Sequence, residues 1–511
     1  MASEANTGKS TSSKKRVAPA AVVQLSLLGS VRAAKRIDRL QVDQLGLGQI
    51  VVMLVGGAVL SVAAVSVAVV DRFALSATAA RISAVQIGPW TTYVSGQMPM
   101  SQLIAVSMLG MLGVAIAAVA LEVGATLLLS LNPRRRALAA YRHVRDAAPQ
   151  PVGPVGITVV IPAHNEECTL PDTLAGLVNQ TRPPDRVIIV ADNCTDGTTR
   201  IALEAHAEVF ATVGNTEKKA GALNQALHVL LRGKGPSDAI LVVDADTVLH
   251  EQFIAIAADA LDRDPELAAV GGMFRGGKGG GLLGQFQRNE YLRYSNEVNC
   301  RKGRVFVLTG TATMFRADAL LDVAAARGIY IPGESGRVYD TASLTEDNEL
   351  TLALKSLGSE IRSPEKCVVV TEIMPTWGDL WTQRKRWERG ALENLSQYGI
   401  TAATVRYWGQ QFGIGYGAVA LNSAILLMII TALSVDRWIW YPFWVIVTGV
   451  FMVEHVATVW QGGWKAVLLA VPLIPEICYE VFVQAVFVRS LLDITFSSVA
   501  RWGYSEEVSK P

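Results

Sequence analysis

The chain has 511 residues, of which 50% are hydrophobic and 18% are charged, and its formal net charge is +1. Its mean hydropathy of +0.31 is high for a soluble protein, and the absence of a strongly basic stretch argues against a nucleic-acid partner. The five cysteines form no CxxC pair and the six histidines form no HxH or HxxxH pair, which argues against a disulfide framework and a soft-metal site.

The N-terminal part predicts a basic tail followed by membrane helices. Residues 1–40 are rich in Ser and Thr and then basic, and we expect them to be disordered. Within residues 41–136, apolar runs at Leu45–Val70 and Leu103–Leu131 are long enough to cross a hydrocarbon layer of roughly 30 Å. Both outer flanks are rich in Arg and Lys, so we expect the N-terminus and the segment after the second run to be cytoplasmic.

Residues 150–374 have a different pattern, in which short β-branched runs alternate with helical stretches. Strands are predicted at Ile157–Ile161, Arg186–Ala191, Ala239–Val243 and Cys367–Thr371. Helices are predicted at Pro171–Gln180, Thr199–Glu204, Lys219–Leu231 and Glu349–Leu357. Strands that alternate with helices predict an α/β domain with a largely parallel sheet.

The C-terminal part predicts an interface segment and further membrane helices. Residues 375–410 are amphipathic and rich in Trp, which is typical of helices in the membrane interface. Residues 411–498 contain about three apolar spans, with a tail at 499–511; the spans are Phe412–Val435, Trp438–Trp460 and Ala466–Val488. Pro472 and Pro475 are expected to kink or break the last span, so the total of five or six membrane segments stays open.

An Asp-x-Asp motif follows one of the predicted strands. Side chains two residues apart on a strand face the same way, so Asp244 and Asp246 can project together from the carboxyl edge of the sheet. Open α/β sheets bind ligands at that edge, and two carboxylates there can hold a hard divalent cation. The alternative for this motif alone is a polar loop after a strand.

Two further acidic motifs lie at predicted element ends. Asp192 follows the strand Arg186–Ala191 and could contact a nucleobase or ribose, although a turn-forming aspartate is the simpler interpretation. Asp347, in Thr345-Glu346-Asp347, precedes a helix. It could act as a general base toward an acceptor hydroxyl, or it could simply be the N-cap of that helix.

A basic and aromatic motif, QRKRW, lies in the amphipathic segment. Gln383, Arg386 and Trp387 stand at i, i+3 and i+4 and therefore share one helix face. The cation could stabilise a departing diphosphate, and the indole offers a platform for a sugar ring. The alternative for Trp387 is one more interfacial anchor.

Together these segments resemble the processive, membrane-integrated family 2 glycosyltransferases, such as bacterial cellulose synthase, hyaluronan synthase and poly-N-acetylglucosamine synthase. The similarity runs from about Ile161 to Gly390 through IPAHNEE (161–167), VADNCTDG (190–197), KAGALN (219–224), DAD (244–246), TGTATMFR (309–316), TED (345–347) and QRKRW (383–387). The resemblance implies an α/β GT-A (Rossmann-like) cytoplasmic catalytic domain inserted between the transmembrane helices of a multi-pass membrane protein. It also implies an inverting transfer from a UDP-sugar with Mg²⁺ or Mn²⁺.

Residue roles follow from the same resemblance. It implies that Asp347 is the catalytic base, that Asp246 binds the metal, and that Asp244 binds UDP beside the metal. The other substrate-binding residues that it implies are Ala163, Glu166, Asp192 and Lys219 toward uridine, Gly310 and Thr311 near the acceptor terminus, Glu346 beside the base, and Gln383, Arg386 and Trp387 as a clamp on the diphosphate and acceptor sugar.

Three functions remain open at this point. The first is a synthase that adds sugar from UDP-GlcNAc or UDP-glucose to a β-linked polysaccharide or oligosaccharide, with translocation as an open question. The second is a non-processive transferase that modifies a lipid or another acceptor. The third is a catalytically silent membrane scaffold, against which the intact acidic motifs argue. The expected partners are the donor, the acceptor, the lipid bilayer and an accessory membrane subunit, at the plasma (bacterial inner) membrane with the catalytic domain in the cytoplasm.

Overall fold

The structure is a computed structural model that describes residues 82–87, 89–95, 154–434, 439–440 and 442–496. The predicted tail 1–40, the predicted membrane helices at Leu45–Val70 and Leu103–Leu131, and the tail 499–511 lie outside the described residues.

The strands are β1 (Ile82–Ile87), β2 (Trp90–Ser95), β3 (Gly156–Ala163), β4 (Arg186–Ala191), β5 (Glu208–Ala211), β6 (Asp238–Val243), β7 (Val248–Leu249), β8 (Leu267–Gly271), β9 (Met273–Gly276), β10 (Ala312–Arg316), β11 (Glu360–Arg362), β12 (Val368–Thr371) and β13 (Ile439–Trp440). The helices are α1 (Leu170–Val178), α2 (Thr198–Glu204), α3 (Lys218–Leu230), α4 (Phe253–Arg263), α5 (Gly281–Cys300), α6 (Ala317–Ala326), α7 (Glu346–Ser356), α8 (Trp377–Tyr398), α9 (Val405–Ser434), α10 (Pro442–Val459), α11 (Trp464–Ala470) and α12 (Ile474–Thr495).

A seven-stranded sheet with the order β11-β8-β10-β6-β3-β4-β5 forms the centre of the α/β domain. Strands β6, β3, β4 and β5 run parallel to one another. Strand β10 runs antiparallel to both of its neighbours, β6 and β8. The start of β10 therefore lies beside the carboxyl end of β6, where the Asp-x-Asp motif begins.

The central strands are apolar on both faces because helices cover the sheet on both sides. Successive side chains alternate between the two layers. Val159 and Ile161 pack in one core layer with helices α1 and α4, whereas Val160 packs in the opposite layer with helices α3 and α7. Buried apolar surface on two faces fixes the register of the strands, and thereby the level at which their polar end residues emerge.

The prediction of an α/β domain with a largely parallel sheet is confirmed, with one correction. The seven-stranded sheet has one antiparallel strand, β10, and its other neighbouring strands pair in parallel. The predicted strand Cys367–Thr371, observed as β12, belongs to a second sheet with the order β7-β12-β9. Helix α5, which the prediction omitted, packs against helices α10 and α11, and its polar residues Asn289 and Arg293 reach Glu476 on α12.

The predicted apolar spans of the C-terminal part correspond to helices α9, α10 and the pair α11–α12. The predicted break in the last span is confirmed, since α11 ends at Ala470 and α12 begins at Ile474. Among the described residues, no single helix combines the length and the apolarity needed to cross a bilayer; the pair α11–α12, bent by 79°, meets that criterion only as a pair.

Candidate active site

Acidic residues follow three adjacent parallel strands at their carboxyl ends. Glu166 comes shortly after β3, Asp192 directly after β4, and Asp244 directly after β6. Ala163, the last residue of β3, is buried and pairs with Ala191 of β4. Because these strands end at the same edge, their acids are brought to one side of the sheet.

The antiparallel strand β10 brings the segment TGTATMFR to the same edge. Ala312 pairs with Val243, and the Asp244 amide donates to the Thr311 carbonyl oxygen at 2.9 Å. The Gly310 amide donates to Asp347 Oδ2 at 3.1 Å, so the residue next to Thr311 contacts the predicted base. A Cβ on Gly310 would lie 3.0 Å from that oxygen, which explains why a glycine fits there.

Lys219, near the start of α3, joins the acidic motifs. Its Nζ lies 2.6 Å from Asp244 Oδ1 and 3.2 Å from Glu346 Oε1. One cavity is lined by Lys219, Glu346, Asp347 and Gly310. Its other lining residues are Val242, Leu308, Thr309, Thr313, Phe315, Tyr339 and Leu350. Lys219 therefore links the Asp-x-Asp and Thr-Glu-Asp motifs, which are far apart in the chain, at the edge of this cavity.

Burial and mutual repulsion set the proton affinities of this pocket. Burial, together with the charges of Asp246 and Glu346, raises the pKa of Asp244 to about 6 despite Lys219. Burial and the adjacent Glu346 carboxylate likewise raise the pKa of Asp347 to about 6. For Glu346 burial acts upward, but the Lys219 ammonium, a backbone hydrogen bond and the Arg386 charge together outweigh it and lower the pKa. Asp347 is thus the weaker acid of the two neighbours, which suits a group that must accept a proton.

A second group of acids surrounds Asp246. Strand β12 runs antiparallel to β7 with Val370 opposite Val248, which places Glu372 near Asp246. Burial, followed by the repulsion of Glu372, raises the pKa of Asp246. Burial also raises the pKa of Glu166, and Asp246, Glu372 and Asp244 add to it. The local excess of negative charge is one that a divalent cation would neutralise.

The donor set fits a metal that a ligand helps to hold. In the part of the chain that the structure describes, no three His, Cys, Asp or Glu side chains are grouped closely enough to hold an ion by themselves. Asp244 and Asp246 offer hard carboxylate oxygens, and Mg²⁺ is commonly held by one or two carboxylates together with substrate phosphates and water. The residues present are therefore compatible with a cation completed by a diphosphate.

The Asp192 carboxylate is fixed within the protein. It is 7% exposed and accepts hydrogen bonds from Thr212 Oγ1 at 2.7 Å and from Asn215 Nδ2 at 2.9 Å. Asn215 Nδ2 also donates to the Lys218 carbonyl oxygen at 2.8 Å. Asp192 therefore organises the loop before α3, the helix that carries Lys219, at the position where the resemblance implies a uridine contact.

Helix α8 carries QRKRW toward the same pocket. The positive charge of Arg386 acts on both Glu346 and Asp347, where, after burial and Lys219, it lowers the pKa of each carboxyl group. The guanidinium of Arg384 lies 4.5 Å from the ring centroid of Trp387. Gln383 Oε1 is buried and accepts no hydrogen bond from the described residues, which leaves an acceptor for a ligand donor.

The structure also changes the interpretation of some predicted residues. Asp347 is not the N-cap of α7, because Thr345 occupies that position and Asp347 lies in the first helical turn. Glu372 and Tyr339 are additional residues of the site. An acid directly after a strand, as for Asp192 and Asp244, is the signal that could have identified Glu372. Tyr339 lies in a loop with no comparable signal.

Part of the α/β domain matches a known protein family. Residues 158–323 match the profile of the family described as Glycosyl transferase family 2. Poly-beta-1,6-N-acetyl-D-glucosamine synthases from Staphylococcus aureus (strain MSSA476) and Staphylococcus epidermidis are each 27% identical over 249 residues, which is 47% of this chain and 55% of each relative. The chain spans about half the length of the curated relatives it matches.

Two solved structures are similar to this chain at lower sequence identity. A mannosyltransferase from Pyrobaculum calidifontis, in complex with GDP-Man and Mn²⁺, is 18% identical with a TM-score of 0.46, covering 76% of this chain and 99% of that one. A glucosyl-3-phosphoglycerate synthase from Mycobacterium tuberculosis, in complex with Mn²⁺, UDP-Glc and phosphoglyceric acid, is 18% identical with a TM-score of 0.33, covering 48% and 80%.

Proposed function

We propose that this chain, whose residues 158–323 match the Glycosyl transferase family 2 profile, transfers a sugar from a UDP-sugar to a saccharide acceptor with inversion at C1. The observation that carries the proposal is that Lys219, Glu346 and Asp347 line one cavity at the carboxyl edge of the sheet, where Lys219 also pairs with Asp244. The names of the curated relatives support UDP-GlcNAc as the first donor to test and a β-linked polymer as the first product.

The proposed reaction is one displacement at the anomeric carbon. An acceptor hydroxyl oxygen attacks C1, and the bond between C1 and the diphosphate oxygen breaks with its electron pair moving to UDP. Asp347 takes the proton of the attacking hydroxyl. A positioned base of this kind contributes about 10²–10⁴ in rate, and the Gly310 amide fixes its carboxylate at 3.1 Å.

Positive charge meets the negative charge that develops on the leaving diphosphate. Arg386 is the side chain of α8 that acts electrostatically on the pocket, and Lys219 stands beside Asp244. Fixed cations of this kind act where charge appears in the transition state. When bound at Asp244 and Asp246, Mg²⁺ or Mn²⁺ would supply further neutralisation of the diphosphate.

The test is donor turnover by the purified full chain. The protein is incubated with Mn²⁺ or Mg²⁺, a short β-linked acceptor and a panel of UDP-sugars, and UDP release and product size are measured. We expect release from one donor, a loss of at least about 10²-fold in Asp347→Asn, and little change in Asp259→Asn, an exposed carboxylate of α4 that pairs with Arg263 in the same helix. Release that is equal in wild type and Asp347→Asn would overturn the assignment of the base.

Product size separates the two transferase functions. A ladder of products would support polymer synthesis, whereas a single added sugar would favour the non-processive alternative that modifies a lipid or other acceptor. No UDP binding and no release with any donor would favour the silent scaffold.

The membrane location is also a proposal. It rests on the apolar runs Leu45–Val70 and Leu103–Leu131, which are long enough to span a bilayer. Recovery of the full chain in the membrane pellet after alkaline carbonate extraction is the expected result, and complete release into the supernatant would contradict it.

A further inference from the structure

One face of helix α8 connects the QRKRW motif to the start of helix α7. We call it the docking face; its residues are Gln383, Arg386, Trp387, Gly390, Asn394 and Tyr398. The spacings i, i+3, i+4, i+7, i+11 and i+15 keep them within about one third of the helix circumference. Its first half carries the side chains proposed to bind the diphosphate and sugar, and its second half contacts the segment that carries Asp347.

The two helices approach closely at Gly390. A Cβ on Gly390 would lie 2.4 Å from Thr345 Oγ1 and 2.7 Å from Thr345 Cγ2. Because no side chain fits there, the backbone of α8 lies directly against the residue that precedes Glu346 and Asp347. Gly390 is one helical turn from Arg386 and Trp387. The contact between Gly390 and Thr345 therefore determines how far the QRKRW motif lies from the pocket.

Asn394 then locks the contact with hydrogen bonds. Its side chain is 1% exposed. Its Nδ2 donates to Thr345 Oγ1 at 3.1 Å and to the Thr345 carbonyl oxygen at 3.3 Å, and its Oδ1 accepts from Ser343 Oγ at 2.9 Å. Both ends of this amide are therefore used to hold the three residues that lead into α7.

Thr345 is the N-cap residue of α7, but its side chain makes no capping hydrogen bond. A threonine at the N-cap normally accepts a hydrogen bond from an amide of the first turn, but no such bond forms here. Its hydroxyl oxygen accepts from Asn394 instead. The Thr345 side chain, two residues before Asp347, is thus hydrogen-bonded to α8 and not to the first turn of α7.

We infer that Asn394 is a positioning residue, which acts through Thr345 to hold the carboxylate of Asp347 in register with Arg386 and Trp387 across the pocket. The inference rests on the proposed function. The Gly310 amide fixes Asp347 from one side, and Asn394 fixes the helix start that carries it from the other. When the Asn394 side-chain amide is removed, we expect the start of α7 to shift while Arg386 and Trp387 on α8 stay in place.

Steady-state kinetics tests the inference through the split between kcat and KM. In Asn394→Ala we expect kcat for UDP release to fall about 10²-fold, as for a small misplacement of a reacting group, with the donor KM changed by less than about threefold. The matched control is Asn289→Ala, which removes an equally buried amide that donates to Ala466 O on α11 and to Glu476 Oε1 on α12. An equal effect of both variants on kcat would overturn the inference.

A double-mutant cycle tests whether Asn394 acts through Thr345. Thr345→Val keeps the shape of the side chain and removes the hydroxyl. If both residues belong to one contact, Asn394→Ala combined with Thr345→Val has nearly the kcat of either single variant, whereas multiplied effects would overturn the inference. Thr345→Ser, which keeps the hydroxyl, is expected to retain kcat. If Asn394→Ala does not fold, Thr345→Val alone decides, and an unchanged kcat would overturn it.

Hydrogen exchange separates failure of this inference from failure of the proposed function. The Glu349 amide donates to the Thr345 carbonyl oxygen at 3.0 Å, so Asn394→Ala should speed exchange in a peptide covering Ser343 to Thr351 and leave α3 unchanged. If the wild type releases no UDP, the proposed function fails, and this exchange still tests the position of α7. Unchanged exchange would overturn the role of Asn394.

Discussion

Lys219 Nζ lies 2.6 Å from Asp244 Oδ1, and this ion pair connects helix α3 to the end of the central strand β6. The same ammonium lies 3.2 Å from Glu346 Oε1 at the start of α7. One cation therefore offsets the charge of two acidic motifs that would otherwise repel each other. The charge balance of the pocket depends on Lys219 as much as on the acids themselves.

Lys219→Met is expected to make the stability of the protein depend more strongly on pH. Without the ammonium, the pKa of Asp244 rises further and the pKa of Glu346 loses the strongest of the effects that lower it. Acids with a folded pKa above the unfolded value favour the folded state at low pH, and this contribution is lost as the pH rises through the folded pKa. The melting temperature should therefore fall more between pH 5 and pH 8 than in wild type. Lys366→Met, at an exposed position, is the control, and parallel pH curves would contradict the prediction.

The pH dependence of catalysis should follow Asp347. Burial and Glu346 raise its pKa to about 6, and only the ionised carboxylate can accept a proton. We expect kcat/KM for UDP release to rise with pH through about 6 and to level off above it. Because the pKa of Asp244 is also raised to about 6, the acid limb should be steeper than that of one group. A profile that is flat between pH 5 and pH 8 would exclude Asp347 as the base.

Arg386→Gln should move this profile as well as reduce the rate. The guanidinium lowers the pKa of Asp347 against burial and Glu346, so its removal is expected to shift the acid limb to higher pH. Loss of the cation near the departing diphosphate should also reduce kcat by about 10²–10³-fold, the range for one electrostatic contact to developing charge. A reduced kcat with an unshifted acid limb would place Arg386 away from Asp347.

Asp246→Asn tests the expected metal dependence by a binding measurement. In wild type, Mn²⁺ should tighten UDP binding measured by calorimetry, because the cation joins the carboxylates to the diphosphate. In Asp246→Asn we expect UDP affinity to become nearly independent of Mn²⁺. Thr247→Val is the matched control, since it removes the hydroxyl that donates to Asp246 Oδ1 at 3.1 Å and leaves the carboxylate. Equal enhancement by Mn²⁺ in wild type and Asp246→Asn would contradict the assignment of the metal ligand.

The buried pair of Arg327 and Glu349 should dominate the stability of the region behind the pocket. Both side chains are 0% exposed, with Nη2 and Oε2 2.7 Å apart, and Tyr398 of the docking face donates to Glu349 Oε1 at 2.5 Å. Removing one partner leaves an uncompensated buried charge, so Glu349→Gln and Arg327→Met should each reduce the free energy of unfolding by about 3–5 kcal/mol. Denaturant unfolding measures this, and a loss no larger than that of an exposed pair such as Arg263 and Asp259 would contradict the prediction.

The amino-acid sequence by itself determined the α/β class and the level at which the acids emerge. Apolar runs such as Ile157–Ile161 indicate strands that are buried on both faces of the sheet, and this burial fixes strand register. Asp192 and Asp244 could therefore be expected at one edge before any pairing was known. The QRKRW helix was equally visible, because helical periodicity places Gln383, Arg386 and Trp387 on one face.

Only the tertiary structure decided which of these groups meet. The antiparallel insertion of β10 places Thr311 against Asp244, and the packing of α8 on α7 places Asn394 against Thr345. The periodicity of the sequence predicts neither contact, because each depends on packing between segments that are distant in the chain. The sequence therefore specified which side chains could do chemistry, whereas the pairing of β10 with β6, the ion pairs of Lys219 and the packing of α8 on α7 brought them together at one edge of the sheet.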